Sequence, residues 1–308
     1  MQIDIAKIQK EKPIEELIRF SILNIDKPTG PTSFSIDSYI MRALKLNKTS
    51  HFGTLDPMVT GILPIALGRA CRLNEYFMHR NKVYVGIMQL HKEVSDEVLN
   101  RVVKKYIGKI MQLPPLRSRV KRALREREIV SFNILERKGK SVLFETEVQA
   151  GTYIRKLLHD MGQEAEIGGA HMLELRRTKA GLFEENSKEF PLTTLYDFDK
   201  AVEAYNNGNE SLLREILIPG EVVSRLLPVV NVNPNSLKKL LTGKPLFDND
   251  IKGYLPEQER FALFNKNILI GIYKKSKEGD IIARPEFVLN LFLLANQKLL
   301  IHLRRYLL

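Results

Sequence analysis

Cysteine is almost missing from this 308-residue chain: Cys71 stands alone, so no intrachain disulfide can form and no Cys-X-X-Cys pair can hold structural zinc. A reducing cytoplasm is the expected setting. Cys71 lies between Ala70 and Arg72 in an expected helix, where it reads as a small apolar filler rather than a nucleophile. No stretch reaches the roughly 18 apolar residues of a membrane span. Met1-Gln2-Ile3-Asp4 lacks the basic start and apolar core of a signal peptide, so a soluble intracellular protein is expected. The chain has no GxGxxG or GxxxxGK loop, which argues against nucleotide-dependent chemistry, and no H-x-E with P-C-x-x-C for a zinc deaminase. Acidic residues are the minority. Lys and Arg total 48 against 36 Asp and Glu, a formal charge of +12, and a basic surface of this size favours a polyanion such as nucleic acid.

What is present divides the chain. Residues 1–21, rich in Lys and Glu with Pro13, read as an extension that gains order by packing on something else. A strand at Ile22-Leu23-Asn24-Ile25 runs into the turn Asp26-Lys27-Pro28-Thr29-Gly30-Pro31-Thr32, and a helix capped by Thr32 or Ser33 follows, with Ile36, Tyr39, Ile40 and Leu44 on one face. Leu63–Leu67 reads as a buried strand, Ala70–Phe77 as a helix, Val83–Leu90 as a strand, and Val98–Ile107 as a helix. Two strands flank a turn at Arg137-Lys138-Gly139-Lys140; Tyr153–Gln163 is expected helical and Met172–Thr178 extended. This mixture predicts an α+β domain over residues 22–220 with a large, mostly antiparallel sheet. Past Pro228 the pattern changes to short strands around Leu237–Leu241 before Gly243, marking a small second domain over residues 228–288. Residues 289–308 read as an amphipathic helix of unknown role.

The most informative segment is Ser50-His51-Phe52-Gly53-Thr54-Leu55-Asp56-Pro57-Met58-Val59-Thr60-Gly61. It sets one carboxylate on a glycine-flanked loop with no second acid, cysteine or metal-ligand cluster beside it. A second segment, Arg117-Ser118-Arg119-Val120-Lys121-Arg122-Ala123-Leu124-Arg125-Glu126-Arg127, carries six cations in eleven residues, and its density and alternation fit phosphate contacts along a strand.

The Asp56 segment resembles the catalytic-aspartate loop of the pseudouridine synthase family that includes the bacterial T-loop tRNA enzyme and the dyskerin-type catalytic subunit of box H/ACA particles. The resemblance runs in order through residues 22–183. Gly151-Thr152-Tyr153-Ile154-Arg155 is similar to the family segment whose Arg pairs with the catalytic Asp, and Tyr84, in Asn81-Lys82-Val83-Tyr84-Val85, matches the tyrosine that packs on the flipped base. The resemblance further implies that Ile154 and Leu175 complete an apolar wall, that His51 contacts RNA, and that Lys121 takes the lysine position after Pro114-Pro115, with Arg117, Arg119 and Arg122 on phosphates. Gly169–Thr178 is another matching piece. Phe52 departs from the pattern, standing where this branch has a small residue.

Isomerising uridine breaks the C1′–N1 bond, turns the base and forms C1′–C5, with no net redox change, so no cofactor and no metal are expected. The carboxylate could add to the ribose, add to the ring, or take a proton from C2′; the sequence leaves all three open. A positive partner would favour the ionised form that each requires.

A short connection, residues 90–95, follows the Tyr84 strand where the bacterial enzyme inserts a thumb-like loop. The region from Pro228 to Phe287 resembles a divergent PUA domain. Both features place the chain nearer the dyskerin branch, which implies RNA-guided work on rRNA with a box H/ACA guide RNA, a tiny protein on the catalytic domain, a small β-barrel turnover factor and a kink-turn-binding protein, and no membrane. Two alternatives stay open: a stand-alone tRNA T-loop enzyme, and a non-catalytic RNA-binding scaffold.

Overall fold

The computed structural model describes residues 2–114 and 121–289. Expected features of residues 115–120 and 290–308, including Arg117, Arg119 and the C-terminal helix, lie outside the described residues. The chain forms two compact units that interleave in sequence: Leu23–Ala66 with Asn74–Ile216, and Met1–Ile22 with Leu67–Leu73 and Leu217–Leu308.

The strands, in chain order, begin with β1 (Ser21–Lys27), β2 (Thr49–His51), β3 (Thr60–Leu67), β4 (Lys82–Leu90) and β5 (Gly108–Gln112). They continue with β6 (Arg125–Lys138), β7 (Ser141–Val148), β8 (Ala170–Ala180) and β9 (Phe183–Glu184). The order across the sheet of the larger unit is β1-β3-β8-β4-β7-β6-β5, with β2 on β3 and β9 on β8. From β8 to β5 each pairing is antiparallel, and β8 meets β3 in parallel, which agrees with the expected α+β class and mostly antiparallel sheet. Period-two burial explains β4: its residues alternate buried and half-buried from Lys82 to Leu90. At its centre Gly86 is required by packing, because a Cβ there would lie 2.7 Å from the Glu174 carbonyl oxygen and 2.8 Å from Leu175 Cδ1.

Helices cover this sheet for reasons visible in their ends and faces. Thr32 caps the helix Ser33–Ala43 by accepting from the Ser35 N–H at 3.0 Å, and Ile36 and Ile40 bury one face. Tyr39, expected on that face, lies at its margin, with its hydroxyl on Asp199. In Asp96–Tyr106 the acids Asp96 and Glu97 open the helix and Lys104 and Lys105 close it, complementing the dipole. Leu99, Val102 and Val103 are buried from this helix, each contributing about 1.5–3 kcal/mol. Only residues 91–95 separate it from β4. The helix Ile154–Gln163 packs on β8.

The smaller unit holds β10 (Ile218–Pro219), β11 (Val229–Val232), β12 (Ile251–Lys252), β13 (Arg260–Asn265), β14 (Ile268–Glu278) and β15 (Ile281–Val288). β11 to β15 form a five-stranded sheet in the order β12-β11-β13-β14-β15. The expected strand near Leu237–Leu241 is instead a helix, Leu237–Leu240. Leu237, Leu240 and Leu241 are all buried, and their i, i+3, i+4 spacing is helical. The N-terminal residues are helical as well, Ile5–Glu11 and Ile14–Arg19, and belong to this unit. Gln9 Nε2 donates to the Leu217 carbonyl at 3.0 Å, and Lys12 Nζ lies 2.6 Å from the buried Glu221 carboxylate.

Candidate active site

Residues 52–59 link β2 to β3 and carry Asp56, and nearly every fixed point of this loop is a backbone group held from behind. Leu55 and Val59 turn into the core, leaving Asp56 and Met58 exposed. The Leu55 N–H donates to Ser33 Oγ at 2.9 Å and the Ser33 hydroxyl donates back to the Leu55 carbonyl at 3.0 Å. Lys27, fully buried at the end of β1, points its ammonium at three carbonyls: Pro28 at 2.8 Å, Pro57 at 3.0 Å and Val59 at 2.9 Å. Burial pushes the Lys27 pKa down, and the negative charge of Asp56 works against that shift. Arg177, also fully buried, donates from Nε to the Ile62 carbonyl at 2.7 Å and from Nη2 to the Gly53 carbonyl at 3.0 Å. Gly61 makes this close approach possible. Its φ is +97°, and a Cβ there would meet the Arg177 carbonyl oxygen at 2.3 Å. Phe52 is buried, its ring stacked on Phe77 with centroids 4.7 Å apart, so the bulkier residue is accommodated inside.

Asp56 meets Arg155. Arg155 Nη2 lies 2.8 Å from Asp56 Oδ2, from the first turn of the helix Ile154–Gln163. That turn has no side-chain cap of its own. Buried Gln112 serves it instead, accepting from the Tyr153 N–H at 3.0 Å and donating to the Tyr153 carbonyl at 3.3 Å. Lys82, buried at the start of β4, donates to the Met78 and Arg80 carbonyls, each at 2.5 Å. Its pKa is lowered to about 8, chiefly by burial and then by the charge of Arg177.

Tyr84 sits on β4 opposite Arg177 of β8, and Leu175 stands opposite Gly86 two residues along. Tyr84, Leu175 and Ile154, the residues expected to form an apolar wall, are all buried. His51, expected to touch RNA, has both ring nitrogens engaged: Nδ1 lies 2.6 Å from Asp37 Oδ2 and Nε2 2.9 Å from Thr54 Oγ1. Lys121 and Arg122 are exposed and precede β6 rather than lying in it. Among the described residues no group of three or more His, Cys, Asp or Glu side chains could hold a metal ion.

An exposed carboxylate held by one arginine can act on carbon as a nucleophile or as a base. The family model of the TruB pseudouridylate synthase N-terminal domain matches residues 41–154, and that of the tRNA pseudouridylate synthase B C-terminal domain matches residues 155–224. A probable tRNA pseudouridine synthase B of Methanothermobacter thermautotrophicus is 42% identical over 244 residues, 79% of this chain and 74% of the relative. Another probable tRNA pseudouridine synthase B, from Thermococcus kodakarensis, is 42% identical over 278 residues, 89% of this chain and 75% of the relative. The chain belongs to the TruB family of pseudouridine synthases.

This pseudouridine synthase also resembles solved structures of the Cbf5 type. The Cbf5–Nop10–Gar1 complex matches with a TM-score of 0.80 and 36% identity, over 91% of this chain and 88% of that one. An H/ACA RNP bound to a substrate RNA containing 2′-deoxyuridine matches with a TM-score of 0.78 and 34% identity, over 91% and 88%. Its chemistry is the conversion of uridine to pseudouridine in RNA. The residues that sequence reasoning passed over are the ones that hold the Asp56 loop and the helix turn of Arg155. Lys27 stands in a Pro- and Gly-rich turn, Arg177 is one of several basic residues at the end of β8, and Gln112 carries no motif. No local pattern marks Lys27 or Arg177 in advance, since polar and charged neighbours stand beside both: Asn24 and Asp26 in β1, Glu174, Arg176 and Lys179 in β8.

Proposed function

We propose that this enzyme is the catalytic subunit of an RNA-guided box H/ACA ribonucleoprotein that isomerises uridines of rRNA in the cytoplasm. The observation that carries the proposal is the likeness, over 91% of the chain, to catalytic subunits solved in H/ACA assemblies. In this reading Asp56 is the reacting carboxylate and Arg155 orients it. Tyr84, with Ile154 and Leu175, forms the surface for the extruded base and becomes accessible when the flipped nucleotide enters. Lys121 and Arg122, with Arg117 and Arg119, meet phosphates. The five-stranded sheet of the smaller unit acts as a PUA-like anchor for the guide. A tiny catalytic-domain-binding protein, a β-barrel turnover factor and a kink-turn-binding protein complete the particle.

A second reading is supported by the names of the relatives, which are tRNA pseudouridine synthases B: a stand-alone enzyme for tRNA uridines. The separating experiment is reconstitution of the full chain with and without a box H/ACA guide RNA, scoring pseudouridine in a guide-complementary rRNA fragment and in a tRNA transcript. Guide-dependent product in the rRNA fragment supports the first reading. Modification of the tRNA by the protein alone, with no response to guide, overturns it.

A further inference from the structure

Asp37 lies on the helix Ser33–Ala43, four residues after Ser33, so the two side chains share a face. Both reach the loop that carries Asp56. Ser33 brackets Leu55 directly, whereas Asp37 acts through a chain: Oδ2 to His51 Nδ1 at 2.6 Å, then His51 Nε2 to Thr54 Oγ1 at 2.9 Å. An ionised carboxylate only accepts, so the hydrogen on Nδ1 points at Asp37. In the neutral ring Nε2 is then an acceptor, and the Thr54 hydroxyl donates to it. Water competes little for the Asp37–His51 bond, because those side chains are 10% and 18% exposed, whereas the bond to exposed Thr54 lies at the surface. The Asp37 backbone is held too, its carbonyl accepting from the Thr49 hydroxyl at 3.0 Å, and Oδ1 has no hydrogen-bond partner among the described residues. The carboxylate is thus committed to His51.

We propose that Asp37 is a positioning residue for the isomerisation: through His51 it fixes Thr54, and with it the backbone two residues before Asp56. Together with Ser33 it ties two successive loop residues, Thr54 and Leu55, to one helix face. The angle at which Asp56 faces the nucleotide is set by this double tether. The proposal rests on Asp56 being the reacting group.

The test measures single-turnover rate and RNA dissociation constant separately, in the full chain assembled as its activity requires, for Asp37→Leu, Asp37→Asn, Thr54→Val and the Asp37→Leu/Thr54→Val pair, with Asp56→Ala as control. Asp37→Leu, which removes the acceptor, is expected to slow turnover about tenfold or more with little change in RNA affinity. Asp37→Asn keeps an acceptor for Nδ1–H and is expected to recover most of the rate. Thr54→Val should fall by a similar factor, and the pair should be no slower than either alone, since both break one chain. A wild-type rate for Asp37→Leu beside an inactive Asp56→Ala overturns the positioning role alone, as does an effect confined to affinity or a fully additive pair. Turnover by Asp56→Ala overturns the reading beneath it. Should circular dichroism show Asp37→Leu unfolded, exposed Thr54 decides: a wild-type rate for Thr54→Val overturns the proposal.

Discussion

Arg155 Nη2 stands 2.8 Å from Asp56 Oδ2 while the two side chains keep 63% and 47% of their surface exposed. An exposed pair of this kind is worth only about 0–1 kcal/mol to folding. In the proposed mechanism the pair orients the carboxylate, so stability and turnover should separate on mutation. Arg155→Ala is expected to shift unfolding free energy by less than about 1 kcal/mol yet slow isomerisation about 100-fold. Asp56→Asn, nearly isosteric, should abolish isomerisation and leave RNA affinity within a few-fold of wild type. Denaturant unfolding, a tritium-release assay and a binding titration check these. A wild-type rate in Arg155→Ala would refute the orienting role.

Lys27 presents the opposite case. It is buried, and its ammonium joins β1 to the Pro28, Pro57 and Val59 carbonyls. Lys27→Met preserves the stem and removes all three bonds, so a loss on the order of 3 kcal/mol in stability is expected, together with a slower enzyme even where the fold persists. A variant that melts with the wild type would mean that the loop carries its own shape.

The pair Asp56 and Lys27 also marks how much of the site was legible in advance. Asp56, Arg155 and Tyr84 stand in local patterns with compatible spacing, and the structure brings Asp56 and Arg155 into contact. Lys27, Arg177 and Gln112 act on backbone carbonyls and amides contributed by other elements, and which carbonyl a buried cation satisfies is a tertiary fact with no local pattern. The same limit applies to the fold. Strand composition identified β4, alternation identified β7 and helical spacing identified Asp96–Tyr106, whereas Lys12 beside Glu221 joins residues 209 positions apart and could not be read from composition. At Leu237–Leu241 the run was too short to separate helix from strand until burial of Leu237, Leu240 and Leu241 decided it.

Lys82 makes stability depend on pH in the alkaline range. Its folded pKa of about 8 lies below the ordinary 10.5, so between these values the unfolded chain binds more protons and stability rises with pH. Below pH 8 both states are charged and the full cost of burying the ammonium, on the order of 3 kcal/mol, is present. Comparison with Lys82→Met cancels other titrations. The wild type is expected to gain stability relative to this variant as pH goes from 7.5 to 10.5, read by urea unfolding at each pH. A pH-independent difference would show the ammonium to be no worse off folded than unfolded.

Lys121 and Arg122 are exposed and precede the first residue of β6, so their charges can be removed at little cost to the fold. If they neutralise phosphates, each contact adds about 0.7–0.9 to the slope of log binding constant against log salt, through counterion release. Lys121→Ala/Arg122→Ala is expected to weaken RNA binding across sequences and to flatten that slope by about 1–2, with thermal stability unchanged. The measurement is a titration of the full chain against RNA from 50 to about 300 mM salt. An unchanged slope with unchanged affinity would remove these two residues from the RNA path and leave the net charge of +12 to be expressed elsewhere on the surface.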